Sequence, residues 1–461
     1  MIELQRGDPD FERVVAEGSF NTLVSAERPE MVVRPRSEAE VVAAVRAAAS
    51  RGQRIAVRSG GHSWVAASLR DGGVLIDLGA LDGIELRGIE LHRSDVPGGD
   101  LDARSMTATV GPGVRGARLS AALEEAGLAF PVGHCGDPGV GGFLLGGGLG
   151  VNWGHWRPAC FSIERMRVVT ADGELRTASP TENPDLFWLA RGSGPGFPGV
   201  VTQFELALRP LPAVIRVETW LHPLDRLDEV TRWLTEASAH LPTNVELSLV
   251  TAASADPAHP LVAGVAATVF ADTPAEAEAA LAPLHAGPGG ALAHSGPADV
   301  AFSALHEAVD ATYPPGARYL ADTFWTDLDL HDATAPLAAL MARAPSPQSY
   351  VLAGMPANGA GAGLVQEGEA AYGMHDRTLL IVYTIWQHAE DDAANRAWLD
   401  EVAAALLPTS TGHFLSEADI RHRPERAPAS FTPADRARVH ELRTRFDPHH
   451  LFHGYPGDPT F

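Results

Sequence analysis

Hydrophobic and polar positions in the first 130 residues follow a strand-like and a helix-like pattern, which alternate along the chain. Short apolar or alternating runs predict strands at MVVRP, RIAVRS, GVLIDL and TATVGPG. Between the first two runs, EAEVVAAVRAAAS carries apolar residues at helical spacing, with Ser37 and Glu40 placed as a capping box and Gly52 just after its end. VRGARLSAALEEAG predicts a second helix, which Gly127 ends. This order of elements indicates a mixed α+β fold with short connections.

Glycine dominates two later stretches of the chain. PVGHCGDPGVGGFLLGGGLG begins at Pro131, and ARGSGPGFPG begins at Ala190. Because glycine has no Cβ, this density indicates a backbone that approaches another group closely or adopts positive φ. Strands are predicted after the two stretches, at RMRVVTADGEL and VVTQFELAL, and a helix is predicted at DLFWLAR.

Composition changes near RPLP, at residues 209–212. From about residue 212 to residue 414, helical segments such as LDEVTRWLTEASA and DAANRAWLDEVAAALL are mixed with β-rich segments such as VELSLVTAA and TLLIVYTIW, which indicates a second domain. The tail FTPADRARVHELRTRFDPHHLF predicts a helix that ends at Asp447-Pro448. We expect loops at residues 83–105, HAGPGGALAHSGP and PANGAGAG.

Length and charge exclude several classes of protein. The 461 residues, 45% of them hydrophobic, allow two or three domains with sizeable cores. The 58 acidic and 35 basic residues give a formal net charge of -23, which repels phosphate backbones and acidic headgroups, so neither nucleic acid nor a membrane is expected as a partner. No run approaches the roughly 20 apolar residues of a membrane span, and no apolar secretion signal opens the chain. We therefore expect a cytoplasmic protein.

Common nucleotide and metal motifs are not supported. Gly194, Gly196 and Gly199 match the spacing of the dinucleotide fingerprint, but that motif needs a strand before the loop and a helix after it, and the predicted order here is the reverse. No P-loop motif occurs, and the two cysteines lie far from any paired histidines, so no metal is expected. Cys160, in RPACFSIE, is expected to be an inert core residue, and the tail HHLFH is expected on the surface.

The segment RSGGHS at residues 58–63 is a better candidate for an anion site. Two glycines after a strand allow consecutive backbone N–H groups to converge on an anion, and Arg58, Ser59 and Ser63 stand beside them. The residues alone leave open the alternative of a tight turn whose histidine only packs.

Several motifs, in order along nearly the whole chain, resemble the FAD-linked oxidases of the vanillyl-alcohol oxidase superfamily, in the berberine-bridge-enzyme-like branch. RSGGHSW is similar to the family's pyrophosphate loop and FPVGHCGDPGVGGFLLGGGLG to its cysteine segment; VVTADG, DLFWLARGSGPGFPGVVT and RFDPHHLF follow in the family's order. The resemblance implies a two-domain α+β fold of the PCMH type. Residues 1–210, completed by 415–461, would bind FAD, and residues 211–414 would form a substrate-binding domain over the flavin.

The resemblance also implies that FAD is held by two covalent bonds, one from His62 and one from Cys135. A neutral imidazole is a competent nucleophile near pH 7. A thiolate is the reactive form of cysteine, and the N–H groups of Gly133, Gly136 and Gly139 are expected to lower the pKa of Cys135. The implied cofactor-binding residues are Arg58, Ser59, Gly60, Gly61, His62, Ser63, Gly133, Cys135, Gly139, Val140, Gly142, Gly150 and Val201.

The chain departs from the family's pattern in three places. Cys135 is followed by Gly136-Asp137-Pro138 where the family usually has Pro-Thr and a small apolar residue, and the position of Pro138 is associated in the family with oxygen access. NWGHWR, at residues 152–157, replaces the usual Arg-x-Tyr-Gly. SEAD, at residues 416–419, replaces Asn-Tyr-x-Asp, so that Glu417 stands where the family presents an active-site tyrosine.

Glu417 is therefore the first candidate for a catalytic base. A carboxylate buried beside an apolar flavin face has a raised pKa and can accept an alcohol proton near neutral pH. His375, Tyr383 and His155 are the alternatives. Other aromatic residues are expected either to line the pocket or to pack in the core: Tyr319, Phe324 and Trp325.

The predicted function is oxidation of a C–OH or C–N bond by hydride transfer to FAD, with a small-molecule substrate and O2 as partners. One alternative is an oxidative cyclase or a dehydrogenase of secondary metabolism that acts on a large aromatic or glycosylated substrate. The other is a flavin-binding protein without turnover. Pro138 leaves both oxidase and dehydrogenase open.

Overall fold

The computed structural model describes residues 1–23, 26–87, 106–356 and 364–457. The strands are β1 (Ile2–Gln5), β2 (Met31–Arg34), β3 (Ile55–Arg58), β4 (Val74–Asp77), β5 (Ile84–Arg87), β6 (Thr107–Val110), β7 (Leu128–Ala129), β8 (Ile163–Thr170), β9 (Leu175–Ala178), β10 (Gly199–Ala207), β11 (Arg209–Pro210), β12 (Val214–Pro223), β13 (Val245–Ala253), β14 (Leu261–Ala271), β15 (Ala293–Asp299), β16 (Arg318–Thr326), β17 (Tyr350–Pro356) and β18 (Thr378–Trp386). The helices are α1 (Phe11–Glu17), α2 (Glu38–Ser50), α3 (Gly116–Glu125), α4 (Val140–Leu145), α5 (Trp153–Trp156), α6 (Pro184–Ala190), α7 (Leu227–Ser238), α8 (Pro274–Leu281), α9 (Leu305–Asp310), α10 (Leu330–Thr334), α11 (Leu337–Met341), α12 (Asp392–Leu406) and α13 (Pro433–Phe446). The predicted α+β class is confirmed.

The first half of the chain builds two main sheets. A four-stranded sheet has the order β1-β2-β4-β3, with β2 and β3 both parallel to β4. A five-stranded antiparallel sheet has the order β5-β6-β10-β8-β9, and β7 pairs with β11. The glycine segment after α6 leads into β10, so the order of helix, loop and strand predicted there is confirmed.

Helix α2 joins these two sheets. Ser37 caps it, because its Oγ accepts the N–H of Glu40 at 3.3 Å, while the Glu40 carboxylate accepts the N–H of Arg36 instead of returning to Ser37. The apolar stripe of α2 packs between the sheets, in one cluster with Val169 of β8 and Val200 of β10. The stripe consists of Val41, Ala44, Val45 and Ala48.

The second half of the chain builds one antiparallel sheet with the order β15-β12-β14-β13-β17-β18-β16. Its side chains alternate between two faces, as strand geometry requires. Leu247 and Leu249 of β13 pack into a core with helices α7, α8, α10, α11 and α12. Glu246, Ser248 and Val250 of the same strand point to the opposite face, which forms the wall of a cavity.

Two predicted loops are partly strands. Residues Ile84–Arg87 form β5, which pairs with β6 at a sheet edge, and residues 88–105 lie outside the described part of the chain. Residues Ala293–Asp299 form β15, the edge of the seven-stranded sheet. Pro297 is compatible with this strand because an edge strand needs only one side of its backbone for pairing. PANGAGAG lies almost entirely within residues 357–363, outside the described residues.

The C-terminal helix α13 ends at Phe446, directly before Asp447-Pro448, as predicted. It packs against α6, and so returns the chain to the half that carries the first two sheets, while the predicted domain bounds stay a prediction. The tail was expected on the surface; His449 and His450 are exposed, but His453 is half-buried and lines a cavity. Of the described helices, none combines the length and the apolar character that a membrane crossing needs. The cytoplasmic location stays a prediction.

Candidate active site

One face of the seven-stranded sheet, which carries Glu246, Ser248 and Val250, encloses a cavity together with the glycine-rich loops. The cavity has a volume of about 630 Å³, a size typical of ligand sites. Strands β13, β17 and β18 form one wall, and residues 58–64 with 133–146 contribute most of the other. The fold thereby brings residues from both halves of the chain to one place. The predicted site residues that line the cavity are Arg58, Ser59, Gly60, Gly61, His62, Ser63, Gly133, Cys135, Gly139, Gly142, Val201, Tyr383 and Glu417.

Two residues predicted to bind the cofactor lie outside this cavity, which corrects the prediction for them. The N–H of Val140 donates to the Val114 carbonyl at 2.8 Å, and the Val140 side chain is buried in the core. Gly150 lies against the backbone, since a Cβ on it would stand 2.3 Å from the Pro131 carbonyl oxygen. Both residues support the glycine-rich segment through contacts outside the cavity.

Two of the alternative bases also lie elsewhere. His155 faces a second cavity, and its Nδ1 lies 2.8 Å from the Thr243 hydroxyl. His375 is half-buried away from the first cavity, with its Nδ1 3.2 Å from the Gly373 carbonyl. The structure therefore supports neither histidine as the base, and leaves Glu417 and Tyr383.

The loop after β3 has the geometry of an anion site. Gly61 has φ +70°, and a Cβ on it would stand 1.9 Å from the Gly18 carbonyl oxygen, so only glycine fits there. Ser59 Oγ accepts the N–H of Gly142 at 3.0 Å, which ties the loop to the second glycine segment. Within the described part of the chain, the N–H groups of Gly60, Gly61 and His62 donate to no protein acceptor. They remain available to a phosphate.

Arg58 does not take the role predicted for it beside this loop. Its guanidinium is buried, contacts the Asp77 carboxylate at 2.9 Å, and donates to the carbonyls of Val14 and Val15. Arg70, which no sequence motif indicated, is better placed. It lines the cavity, donates to the Gly454 carbonyl at 2.7 Å, and holds a buried Nε that has no partner among the described residues.

His62 is held as a neutral ring. It stacks on Phe20 with ring centroids 4.1 Å apart and planes 2° from parallel, and its Nε2 lies 3.6 Å from the Asp137 carboxylate. Burial lowers the pKa of His62 to about 4, although Asp137 acts in the opposite direction. The imidazole is therefore unprotonated near pH 7, as a nucleophile must be.

Cys135 has an environment opposite to the one expected. Burial raises the pKa of its thiol well above the ordinary value, and the carboxylates of Glu417 and Asp310 raise it further, while a hydrogen bond with Tyr313 acts the other way. The Gly136 N–H, one of the groups expected to stabilise a thiolate, donates instead to Asp310 at 3.0 Å. The resting side chain is a thiol. Cys160 is buried as predicted, and burial raises its pKa to about 12.

Glu417 and Tyr383 form a hydrogen-bonded pair in the cavity. The Tyr383 hydroxyl donates to Glu417 Oε2 at 2.7 Å. Burial raises the pKa of Glu417, against the opposing effects of Tyr383 and of His134. Burial also raises the pKa of Tyr383 well above its ordinary value, so the phenol keeps its proton and the carboxylate is the base of the pair.

A second carboxylate, which sequence reasoning missed, lies on the same strand wall. Glu246 of β13 contacts His134 Nε2 with one oxygen and accepts the backbone N–H of Asn152 with the other. Burial acts to lower the pKa of His134, but the ion pair with Glu246 outweighs it and the pKa is raised. A period-two pattern in VELSLVTAA was the only available signal, because it places Glu246 opposite the buried leucines.

The aromatic residues around the cavity are not those expected. Tyr319, Phe324 and Trp325 are buried in the hydrophobic core and do not line it. Tyr313 and Tyr350 line it instead, with their hydroxyls 3.2 Å apart. They belong to a segment and a strand that carried no recognisable motif.

The residues present fit an FAD cofactor. The free N–H groups after β3 and the unpartnered Nε of Arg70 suit its negatively charged phosphates. His62 and Cys135, the residues predicted to bond to it, line the same cavity. The cavity that they line is largely apolar, which suits a flat aromatic ring system.

Known proteins are similar to this chain in sequence and in fold. Residues 29–179 match a family model described as an FAD binding domain. The FAD-linked oxidoreductase ptmO of Penicillium ochrochloron is 32% identical over 326 residues, which are 70% of this chain and 69% of that protein.

Solved structures show the same fold. The 6-hydroxy-D-nicotine oxidase of Arthrobacter nicotinovorans superposes with a TM-score of 0.83 at 23% identity, over 99% of this chain and 98% of the other. The Physcomitrella patens BBE-like 1 structure superposes with a TM-score of 0.81 at 19% identity, over 98% and 95% of the two chains. The chain has the fold of these structures, belongs to the family of FAD-linked oxidoreductases that contains ptmO, and is an FAD-dependent oxidoreductase.

Proposed function

We propose that this protein is an oxidase that takes hydride from a C–OH or C–N bond to an FAD bonded to both His62 and Cys135, with O2 as final acceptor and hydrogen peroxide as by-product. The observation that carries this proposal is the Glu417 carboxylate, which faces the same cavity as His62 and Cys135 and is held by Tyr383. When bound, flavin supplies the hydride acceptor.

The protein's own part in the reaction is to bind the substrate and remove its proton. Glu417 accepts the proton from the substrate's hydroxyl or amine as hydride leaves the adjacent carbon, which yields a carbonyl or an imine. Tyr383 keeps one oxygen of the carboxylate fixed by donating to it. The apolar side chains of Leu352 and Ile381 on the strand wall exclude water from the reacting carbon.

The cavity favours a substrate with an aromatic or apolar body. Tyr313, Tyr350 and Tyr383 present three aromatic rings, and the strand wall around them is mostly aliphatic. Such a surface suits the products of secondary metabolism better than a fully hydroxylated sugar. A flavin-binding protein without turnover is not favoured, since the related ptmO is named an oxidoreductase.

An oxidase passes the electrons of the reduced flavin to O2, whereas a dehydrogenase passes them to another acceptor. Pro138 lines the cavity at the position that the family associates with oxygen access. The related nicotine enzyme is named an oxidase, which supports O2 as the acceptor.

Two measurements test the proposal. Acid precipitation should leave the yellow colour with the protein pellet, and free flavin in the supernatant would contradict the covalent bonds. A panel of aromatic alcohols and amines should bleach the flavin without oxygen, and admission of O2 should restore the colour with one hydrogen peroxide per cycle. Slow reoxidation by O2, combined with fast reoxidation by an artificial quinone, would identify a dehydrogenase instead.

A further inference from the structure

Helix α9 reaches across from the second domain to the loop that carries Cys135. His306 and Asp310 are four residues apart on this helix, and helical geometry places residues with that spacing on one face. The chain then turns, and Tyr313 lines the same cavity as Cys135. One short segment therefore contacts this loop at two places and faces the thiol at a third.

The two helix contacts lie on either side of Cys135. His306 Nδ1 lies 3.2 Å from the carbonyl oxygen of His134, the residue before the cysteine. Asp310 Oδ1 accepts the N–H of Gly136, the residue after it, at 3.0 Å. Because a carbonyl only accepts, His306 must donate from Nδ1, and its Nε2 then accepts from the Ser120 hydroxyl at 2.8 Å. The direction of both bonds is thereby fixed.

The glycine after Cys135 makes this contact possible. A Cβ on Gly136 would stand 2.8 Å from the Ala117 Cβ and 3.0 Å from Asp310 Oδ2, so the loop is pressed between α3 and α9. The Ala117 N–H also donates to the Gly136 carbonyl at 2.8 Å. Where the family usually has proline after the cysteine, the ring itself restricts the backbone and no N–H exists. Glycine has neither property, so the restriction must come from outside the loop.

We propose that His306 and Asp310 are positioning residues that hold the backbone on both sides of Cys135 and so place its thiol for bonding to the flavin. This inference rests on the proposed covalent attachment. The bond forms with loss of one hydrogen from the thiol and one from the flavin ring, and O2 takes up both hydrogens and two electrons as hydrogen peroxide. Two backbone hydrogen bonds, one on each side of Cys135, restrict the position of the sulfur before that bond forms.

Asp310 allows a sharp test because its side chain is exposed and its removal leaves the core intact. The full chain is produced in a riboflavin-starved host, FAD is added, and the flavin-linked Cys135 and His62 peptides are followed by mass spectrometry. Asp310→Ala should slow the bond to Cys135 roughly 10-fold through loss of the hydrogen bond to Gly136, although it also removes a charge that raises the pKa of the thiol, and should leave the rate at His62 unchanged. Asp310→Asn retains an acceptor oxygen and should restore most of the rate. Glu307→Ala, on the same helix, is the matched control and should behave as the wild type.

Three other outcomes are distinguishable. A rate for Asp310→Ala equal to that of the wild type overturns it. A slow Asp310→Asn, equal to Asp310→Ala, means that the carboxylate acts as a proton acceptor and not as a positioning group. If the wild type gains no flavin at Cys135, the covalent attachment fails, and amide exchange of residues 133–138 still tests the positioning. Asp310→Ala must raise that exchange and Asp310→Asn must not; equal exchange in all three proteins rejects the role of α9.

Discussion

The hydroxyl of Tyr383 donates a 2.7 Å hydrogen bond to Oε2 of Glu417, and both residues line the cavity. Tyr383 belongs to β18 of the seven-stranded sheet, and Glu417 belongs to the segment between α12 and α13. The contact orients the carboxylate while leaving its other oxygen for a substrate. The predictions for catalysis follow from this pair.

Glu417→Gln should remove the base without disturbing the cofactor. We expect the flavin to stay acid-stable and the anaerobic bleaching by a good substrate to slow by about 10²- to 10⁴-fold. Tyr383→Phe is the informative companion, because Phe cannot donate but leaves the carboxylate in place. The Tyr383→Phe variant should keep most of the wild-type bleaching rate at alkaline pH, where Glu417 is deprotonated. Bleaching of Glu417→Gln at the wild-type rate would show that another group takes the proton.

The reductive half-reaction should depend on pH through Glu417. Burial raises the pKa of this group above its ordinary value of 4.5, so bleaching should be slow below the raised pKa and reach its full rate above it. Glu246→Gln removes the partner that keeps His134 protonated, and the pKa of Glu417 should then rise further. We expect the acid limb of the rate profile to move to higher pH. Glu164→Gln, an exposed carboxylate, should leave the limb where it is.

Single and double substitutions should separate the two covalent bonds. His62→Ala and Cys135→Ala should each leave one bond and change the flavin spectrum, because each removes a different substituent from the ring. The double variant should release its flavin on acid precipitation. Flavin retained by the double variant would require an attachment residue that neither sequence nor structure indicates.

The two cysteines should differ in thiol labelling. Cys160 is fully buried and its pKa is raised to about 12, so a thiol reagent should not label the native protein at this position on the timescale of minutes. After unfolding, the holoprotein should show one free thiol, since Cys135 is taken by the flavin. Two free thiols per flavin would contradict the bond to Cys135.

Arg58 should matter for stability and not for anion binding. Its guanidinium and the Asp77 carboxylate are 2% and 4% exposed, and Asp77 keeps Arg34 as a second partner. Arg58→Ala should reduce the free energy of unfolding by about 3 kcal/mol, the lower end for a broken buried ion pair. Arg232→Ala, in an exposed pair with Asp228, should cause no measurable change.

The stabilisation by the Arg58–Asp77 ion pair should also depend on pH. Burial acts to raise the pKa of Asp77, but Arg58 and Arg34 outweigh it and the pKa is lowered from 3.8. A carboxylate with a lowered folded pKa stabilises above its unfolded value and loses that effect as pH falls through the folded value. The difference between wild type and Arg58→Ala in urea unfolding should therefore be constant above pH 3.8 and narrow below it. A constant difference down to pH 2 would contradict the pairing.

The sequence alone determined the elements that depend on local pattern. The apolar stripe and the Ser37 cap of α2, the end of α13 at Asp447 and the strand character of β18 follow from side-chain period and from capping residues close in the chain. The sequence also indicated the roles of the glycines after β3 and around Cys135, because dense glycine is typical of a backbone that approaches another group closely. These features need no knowledge of distant contacts.

Only the tertiary structure decided which charges and hydrogen-bond donors are free. Arg58 is next to the anion loop in sequence, yet its guanidinium pairs with Asp77 from a neighbouring strand. Arg70 belongs to no motif but lines the cavity. The Gly136 N–H was expected to serve Cys135 and instead meets Asp310, which is 174 residues away in the chain. A pKa or a donor's direction depends on burial and on partners that lie within a few ångströms after folding, and one-dimensional spacing carries no information about either.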